Sequence, residues 1–167
     1  RAQIKSSGMK QFRVSKADRD INGVIKLDGS KSLSNRALII RALCQGDFKI
    51  NDCASADDVE TMKELLASQD EVRDAHHAGT TFRFMCSYLC LQPGSQVLTG
   101  SSRMKERPIG ALVDALRAIG ADIEYIENDG YPPLRIGELN TATYEDKVTV
   151  SASISSQFIT SLLLIAP

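Results

Sequence analysis

Three stretches of this chain are built to one plan: small polar residues, one charged or amide side chain, then dense apolar sequence. They are SLSNRALIIRAL (32–43), GTTFRFMCSYL (79–89) and SSQFITSLLLI (155–165). Helices this apolar belong inside a protein, whereas DDVETMKELLA (57–67) and PIGALVDALRAIG (108–120) carry a polar face and belong at its surface. The two kinds alternate along the chain. Short strand-like runs lie between them: QVLT (96–99), DIEYIE (122–127), PLRIG (133–137) and KVTVS (147–151). Asn22-Gly23 adds a hairpin signal inside residues 10–28. The pattern predicts a layered α/β (α+β) protein made of repeated units, with one helix of each pair inside.

The repeat is uneven. The interval from Ser32 to Thr80 is much shorter than that from Thr80 to Ser156, and ASQDEVRDAHH (67–77) has no room for a pair of strands. The first unit is therefore expected to lack strands that the second has, with residues missing near 68–75 and again after 167. An apolar helix ending in LLLIAP reads as the edge of a fragment.

Net charge is −1 and the isoelectric point is near 6.2, so no global basic field draws the chain to nucleic acid or to a membrane surface. No apolar run reaches the roughly 18 residues of a membrane span. The start, RAQIKSSGMKQ, lacks the apolar centre of a secretory signal, and Met9 reads as a native start behind a residual tag. Cys44, Cys53, Cys86 and Cys90 have no metal-ligand spacing and are expected as buried, reduced thiols of a cytoplasmic protein. His76-His77 has no partner pattern for a metal.

The polar starts of the helices carry the chemistry. Lys31 and Arg36 open the first apolar helix, Arg83 falls in the first turns of the second, and Lys105 and Arg107 precede the helix at Pro108. The helix dipole disfavours a cation there by roughly a few tenths of a kcal/mol. Free backbone N–H groups beside Lys and Arg make an anion site that reverses the penalty. A multiply anionic ligand, carrying phosphates or carboxylates, is implied.

DGSKSLSNRALIIRAL, AGTTFRFM, LTGSSRMKERPIGALVDALRAIGADIEYIENDGYPPLRI and SASISSQFITSLLLIAP resemble the enolpyruvylshikimate-phosphate synthase family, in the family's order, over about residues 10–167. The resemblance implies repeated βαβαββ units around buried parallel helices, in an enolpyruvyl-transferase-like globule. Residues 23–167 would form most of one globule, while residues 1–22 would pack with a second. It implies transfer of the enolpyruvyl group of phosphoenolpyruvate to the 5-hydroxyl of shikimate 3-phosphate, with no metal or organic cofactor. Full-length members are expected to be monomers.

The same resemblance assigns Lys31, Ser32, Arg36, Ser155, Ser156 and Gln157 to shikimate 3-phosphate. It assigns Lys31, His77, Gly79, Thr80, Arg83, Arg107 and Gln157 to phosphoenolpyruvate, with Gly79 the position where a side chain would crowd glyphosate first. Two residues depart from the family pattern: His77 stands for the usual Asn, and Phe84 for a common Pro. The family's acid–base carboxylates and lysine have no counterpart here, so no catalytic residue is assigned. Asp57 is read as a helix cap and Glu106 as charge balance for its basic neighbours. Two other readings stay open: an isolated anion-binding module, and an enolpyruvyl transferase acting on a UDP-amino sugar.

Overall fold

A computed structural model describes residues 3–7, 9–13, 15, 17, 20, 22–44, 48–140, 147–150 and 155–166. The chain opens with an antiparallel pair, β1 (Gln3–Ser7) and β2 (Met9–Arg13), in which Ile4 faces Phe12. Helices α1 (Lys31–Leu43) and α2 (Asp57–Ala67) follow. Next come β3 (Val72–Asp74), α3 (Gly79–Leu89), β4 (Ser95–Thr99), the short α4 (Ser102–Lys105), α5 (Gly110–Ala118), β5 (Ala121–Tyr125) and β6 (Leu134–Leu139). The last element is α6 (Ser156–Ile165).

One sheet organises the core. Its strand order is β3-β4-β6-β5, with β3 parallel to β4 and β6 antiparallel to both β4 and β5. With α4 as a single inserted turn, β3-α3-β4-α5-β5-β6 is one complete βαβαββ unit. Helix α3 is its interior: Phe82, Phe84, Met85, Cys86 and Leu89 are all buried, packed with Leu98 and Ile136 of the sheet and Leu112 and Leu116 of α5. Phe84 thus fills the core, within an unbroken helix. Beside α3 lie α1, α2 and α6.

Several expectations change. Of the three apolar helices only α3 leaves no residue exposed, with Thr80, Arg83 and Tyr88 half-buried and the rest buried. Helices α1 and α6 each bury one face and leave the other open, with Leu33 66% and Leu163 65% exposed: among the described residues α2, α3 and α6 cover one side of α1, and α1, α3 and α5 one side of α6. Among the described residues no hairpin forms around Asn22-Gly23: β2 pairs with β1 instead, and 22–28 joins no sheet. Positions 147–150 are likewise outside any strand, while Ser151 and Pro167 lie outside the described residues. Helix α5 begins at Gly110 rather than Pro108, and α4 was not foreseen. Between α2 and α3 the sequence places only the three-residue β3, which belongs to the complete unit, so the first unit has no strand pair of its own.

Local chemistry explains the element ends. Ser30, Ser101 and Ser155 cap α1, α4 and α6, their hydroxyl oxygens accepting from Leu33, Met104 and Gln157 backbone N–H groups. Asp57 is not a cap. Ala56 holds that position, and Asp57, Asp58 and Glu60 instead place negative charge in the first turn of α2, where the dipole favours it. Gly120, at φ 95°, takes the left-handed conformation that ends α5. Before α1, the chain runs so close to the following loop that a Cβ on Gly29 would fall 1.9 Å from the Asp52 carbonyl oxygen. Asp28 staples the same loop, its carboxylate accepting from Gly29 N–H (2.9 Å), Ser55 N–H (2.7 Å) and the Ser55 hydroxyl (2.7 Å).

Candidate functional site

Helix α3 begins without a side-chain cap, at a buried glycine. Its first N–H groups are therefore free to meet an external acceptor. Arg83 and Arg107 stand on either side of that opening. A Cβ built on Gly79 would lie 2.5 Å from Arg107 Nη1 and 2.9 Å from Arg83 Nη1, so both guanidiniums occupy the space a side chain would need. Only glycine lets them come this close to the backbone.

Arg83 is half-buried and well held. Its Nη1 donates to the Gly79 carbonyl oxygen (2.9 Å) and to Gln157 Oε1 (3.0 Å), and its guanidinium lies 5.4 Å from the Phe158 ring centroid. Neither Arg83 nor Arg107 has a carboxylate partner among the described residues. Burial and the neighbouring Arg107 charge push the Arg83 pKa down, yet a guanidinium stays protonated in proteins. Two like charges held together in a partly desolvated niche are a cost in the empty protein. A bound anion offsets that cost. Met104, Pro108, Ile109 and Pro132 give this niche an apolar wall.

A second group gathers around α2. Lys31, the first residue of α1, reaches Asp58 Oδ2 at 3.2 Å. The Asp58 backbone carbonyl accepts from the Thr81 hydroxyl at 2.8 Å, which ties the start of α2 to that of α3. Arg36 is half-buried one turn into α1 and donates to the Ser32 carbonyl oxygen at 3.4 Å. His77 is exposed on the turn before α3, and Thr80 is half-exposed on the first turn of that helix. Its neighbour His76 sits at φ 47°, with Nδ1 3.3 Å from Asp74 Oδ2. Ser155 and Ser156 are exposed at the start of α6.

The sequence-predicted residues thus fall into two sets. Gly79, Arg83, Arg107 and Gln157 form one contiguous cluster. Lys31, Ser32, Arg36, Ser155 and Ser156 occupy the starts of α1 and α6, helices that touch each other and α3; of these five, among the described residues, Ser155 bonds to the cluster, its hydroxyl accepting from Gln157 N–H at 3.3 Å. Lys105 leaves the site altogether: its Nζ donates to Glu127 Oε1 at 2.5 Å. Glu127, not Glu106, is the local counter-charge, and Glu106 forms no ion pair among the described residues.

Thr81, Phe158 and Ser161 carry no signal in the sequence, and Asp58 carries none for its reach to Lys31. Each is an ordinary helix residue whose role comes from a neighbour on another helix. The thiols divide too. Cys86 and Cys90 are buried, but Cys44 is exposed at the end of α1 and Cys53 is half-buried. No group of residues suited to a metal ion occurs among those described. No helix of the described chain is long and apolar enough to cross a membrane.

Comparison with known proteins follows the same geometry. The family model for EPSP synthase (3-phosphoshikimate 1-carboxyvinyltransferase) matches residues 15–69 and 62–167. A 3-phosphoshikimate 1-carboxyvinyltransferase of Bacteroides fragilis is 45% identical over 151 positions, covering 90% of this chain and 36% of that protein. One from Photobacterium profundum is 43% identical over 173 positions, covering 88% of this chain and 40% of the relative. The first alignment needs almost no gap. In the second, a couple of dozen positions face no residue here, and the two family-model segments overlap at 62–69, the last turns of α2 and the two residues after it. An EPSP synthase structure from Acinetobacter baumannii superposes with a TM-score of 0.75 at 19% identity, over 85% of this chain and 38% of that one. The chain spans well under half the length of the relatives it matches.

Proposed function

This chain belongs to the EPSP synthase family, and from that premise we propose that it supplies the substrate-binding half of a 3-phosphoshikimate 1-carboxyvinyltransferase. The observation that carries the reading is the pair Arg83 and Arg107, without a carboxylate partner among the described residues and closed around Gly79 at the uncapped start of α3. Phosphoenolpyruvate, with a carboxylate and a phosphate on three carbons, suits two guanidiniums and a helix N-terminus.

In this proposal Arg83, Arg107, Gly79, Thr80 and His77 receive phosphoenolpyruvate. Ser32, Arg36, Ser155 and Ser156 hold shikimate 3-phosphate, and Lys31 and Gln157 stand where the two substrates meet. The 5-hydroxyl oxygen of shikimate 3-phosphate bonds to C2 of phosphoenolpyruvate, its proton is lost and a proton joins C3. The tetrahedral adduct then expels phosphate as C3 gives up a proton, which restores the double bond. Lys31 and the arginines act by orientation and by stabilising charge that moves between carboxylate and phosphate. The proton transfers need groups of suitable pKa and position, and these residues do not provide them. Residues 23–167 form the substrate-binding globule, and the first 22 residues pack elsewhere. The partners are the two small-molecule substrates, not nucleic acid or membrane. The working protein is a cytoplasmic monomer without a metal or organic cofactor.

Phosphate release, measured with both substrates, tests this reading. Protein expressed from the complete reading frame is expected to release phosphate only when both are present, whereas this chain alone binds shikimate 3-phosphate without turnover. Absence of release from the complete protein would sink the proposal and leave an anion-binding module. Turnover with a UDP-amino sugar instead would reassign the substrate.

A further inference from the structure

Helices α3 and α6 run side by side in the same direction, joined at two matched levels. At one, Arg83 Nη1 meets Gln157 Oε1 at 3.0 Å. Four residues further along both helices, Ser87 Oγ meets Ser161 Oγ at 2.6 Å, and both residues are fully buried. Ser161 Oγ also lies 2.7 Å from the Arg83 carbonyl oxygen, to which it donates. A hydroxyl has one proton, so Ser87 must be the donor to Ser161. The result is a directed relay: Ser87 hydroxyl to Ser161 hydroxyl to Arg83 carbonyl.

This relay grips the residue whose guanidinium Gln157 grips one turn earlier. Helix α6 therefore holds Arg83 at both ends, backbone and side chain. Parallel helices with neighbouring starts place two positive dipole ends together, and Arg107 adds further repulsion. Phe158 under the guanidinium and the serine relay between the helices are what keep that arrangement in register.

We infer that Ser87 and Ser161 are positioning residues that set the register of α6 on α3. They thereby couple the shikimate-phosphate end of α6 to the arginine pair that receives phosphoenolpyruvate. The inference rests on the substrate reading above, and it adds two residues that touch neither ligand. Loss of the hydroxyl of Ser161 does not orphan the Arg83 carbonyl, which keeps its place in the α3 ladder, and Ser87 can turn back to a carbonyl one turn earlier. The variant is therefore expected to fold.

The test is calorimetric binding of phosphoenolpyruvate with and without 5-deoxyshikimate 3-phosphate, which lacks the attacking hydroxyl and so cannot react, using protein from the complete reading frame. Ser161→Ala is expected to weaken phosphoenolpyruvate binding in the presence of that analogue by about 10-fold, as a small misplacement of oriented groups does. Shikimate 3-phosphate binding by itself should change less than about twofold, by the same argument. Ser87→Ala should give a smaller loss, and the double variant should match Ser161→Ala because Ser87 acts only through Ser161. Thr160→Ala, which removes a hydroxyl that among the described residues bonds within α6 alone, serves as the neutral control. Unchanged coupling in Ser161→Ala overturns the inference, as does a uniform loss of both affinities that tracks a fall in Tm. If the parent protein shows the coupling but releases no phosphate, the reaction assigned above fails and the serine relay stands.

Discussion

Arg83 donates to Gln157 Oε1 at 3.0 Å across two helices, and among the described residues this amide and the Gly79 carbonyl, both neutral, stand where a counter-charge would. A dipole orients the guanidinium without neutralising it. Gln157→Glu would place a full carboxylate there and satisfy Arg83 internally. Affinity for phosphoenolpyruvate is expected to fall at least about tenfold, or about 1.4 kcal/mol. Calorimetric titration at low salt checks it, and an unchanged affinity would mean that Arg83 does not bind the anion.

Gly79→Ala puts a methyl group where both guanidinium tips now lie. The obstructing atoms end flexible side chains, so the cost is at the low end for overpacking, about 1 kcal/mol. The loss is expected in the KM for phosphoenolpyruvate rather than in the affinity for shikimate 3-phosphate. A variant with both parameters unchanged would show that the arginines yield freely.

Lys31 and Asp58 are partly exposed, and such a pair contributes at most about 1 kcal/mol to stability. Asp58→Asn should therefore leave Tm nearly unchanged. It also frees Lys31 for an incoming anion, which should bind about threefold more tightly at low ionic strength, with the gain vanishing as salt screens it. Phosphate titrations at two salt concentrations separate these outcomes.

Three hydrogen bonds from Ser55 and Gly29 hold the Asp28 carboxyl below its ordinary value of 3.8. The folded form thus binds its proton less readily than the unfolded chain. The stability this contributes is present above pH 3.8 and is lost as pH falls through the lower folded value. Asp28→Asn should flatten that part of the acid transition. Melting curves of both proteins between about pH 6 and pH 2 make the comparison.

Burial pushes the Cys90 thiol up to about 12 and that of Cys86 well above its usual range. Thiolates are the reactive species, so these two should resist a thiol reagent until the protein unfolds. Cys44 should label first and Cys53 more slowly, as their exposure dictates. Mass analysis of peptides after brief labelling reads the order directly.

Helices were the legible part of this sequence, because apolar spacing and small polar starts are local signals. Strand pairing was not. Asn22-Gly23 carries a hairpin signature, yet β2 pairs with β1 and residues 22–28 lie outside any strand. Helix α4, four residues long, has too little sequence to show a period. Among site residues, cations at helix starts could be read from their conflict with the dipole. Asp58 could not, because its importance lies in reaching Lys31 from a different helix. Ser87 and Ser161 are 74 residues apart, and only the register of two packed helices makes them a pair.

The three-residue strand β3 has a consequence for how such chains change over time. The candidate site is carried by helix starts, whereas the short connection after α2 leaves from a helix end. Once β3 has paired with β4, the turn through His76 and the first turn of α3 are fixed, whatever length of chain came before. Length before β3 is thus insulated from geometry after it. Residues added at this point would leave Arg83 and Arg107 where they are, so length here can vary without cost to the arginine pair.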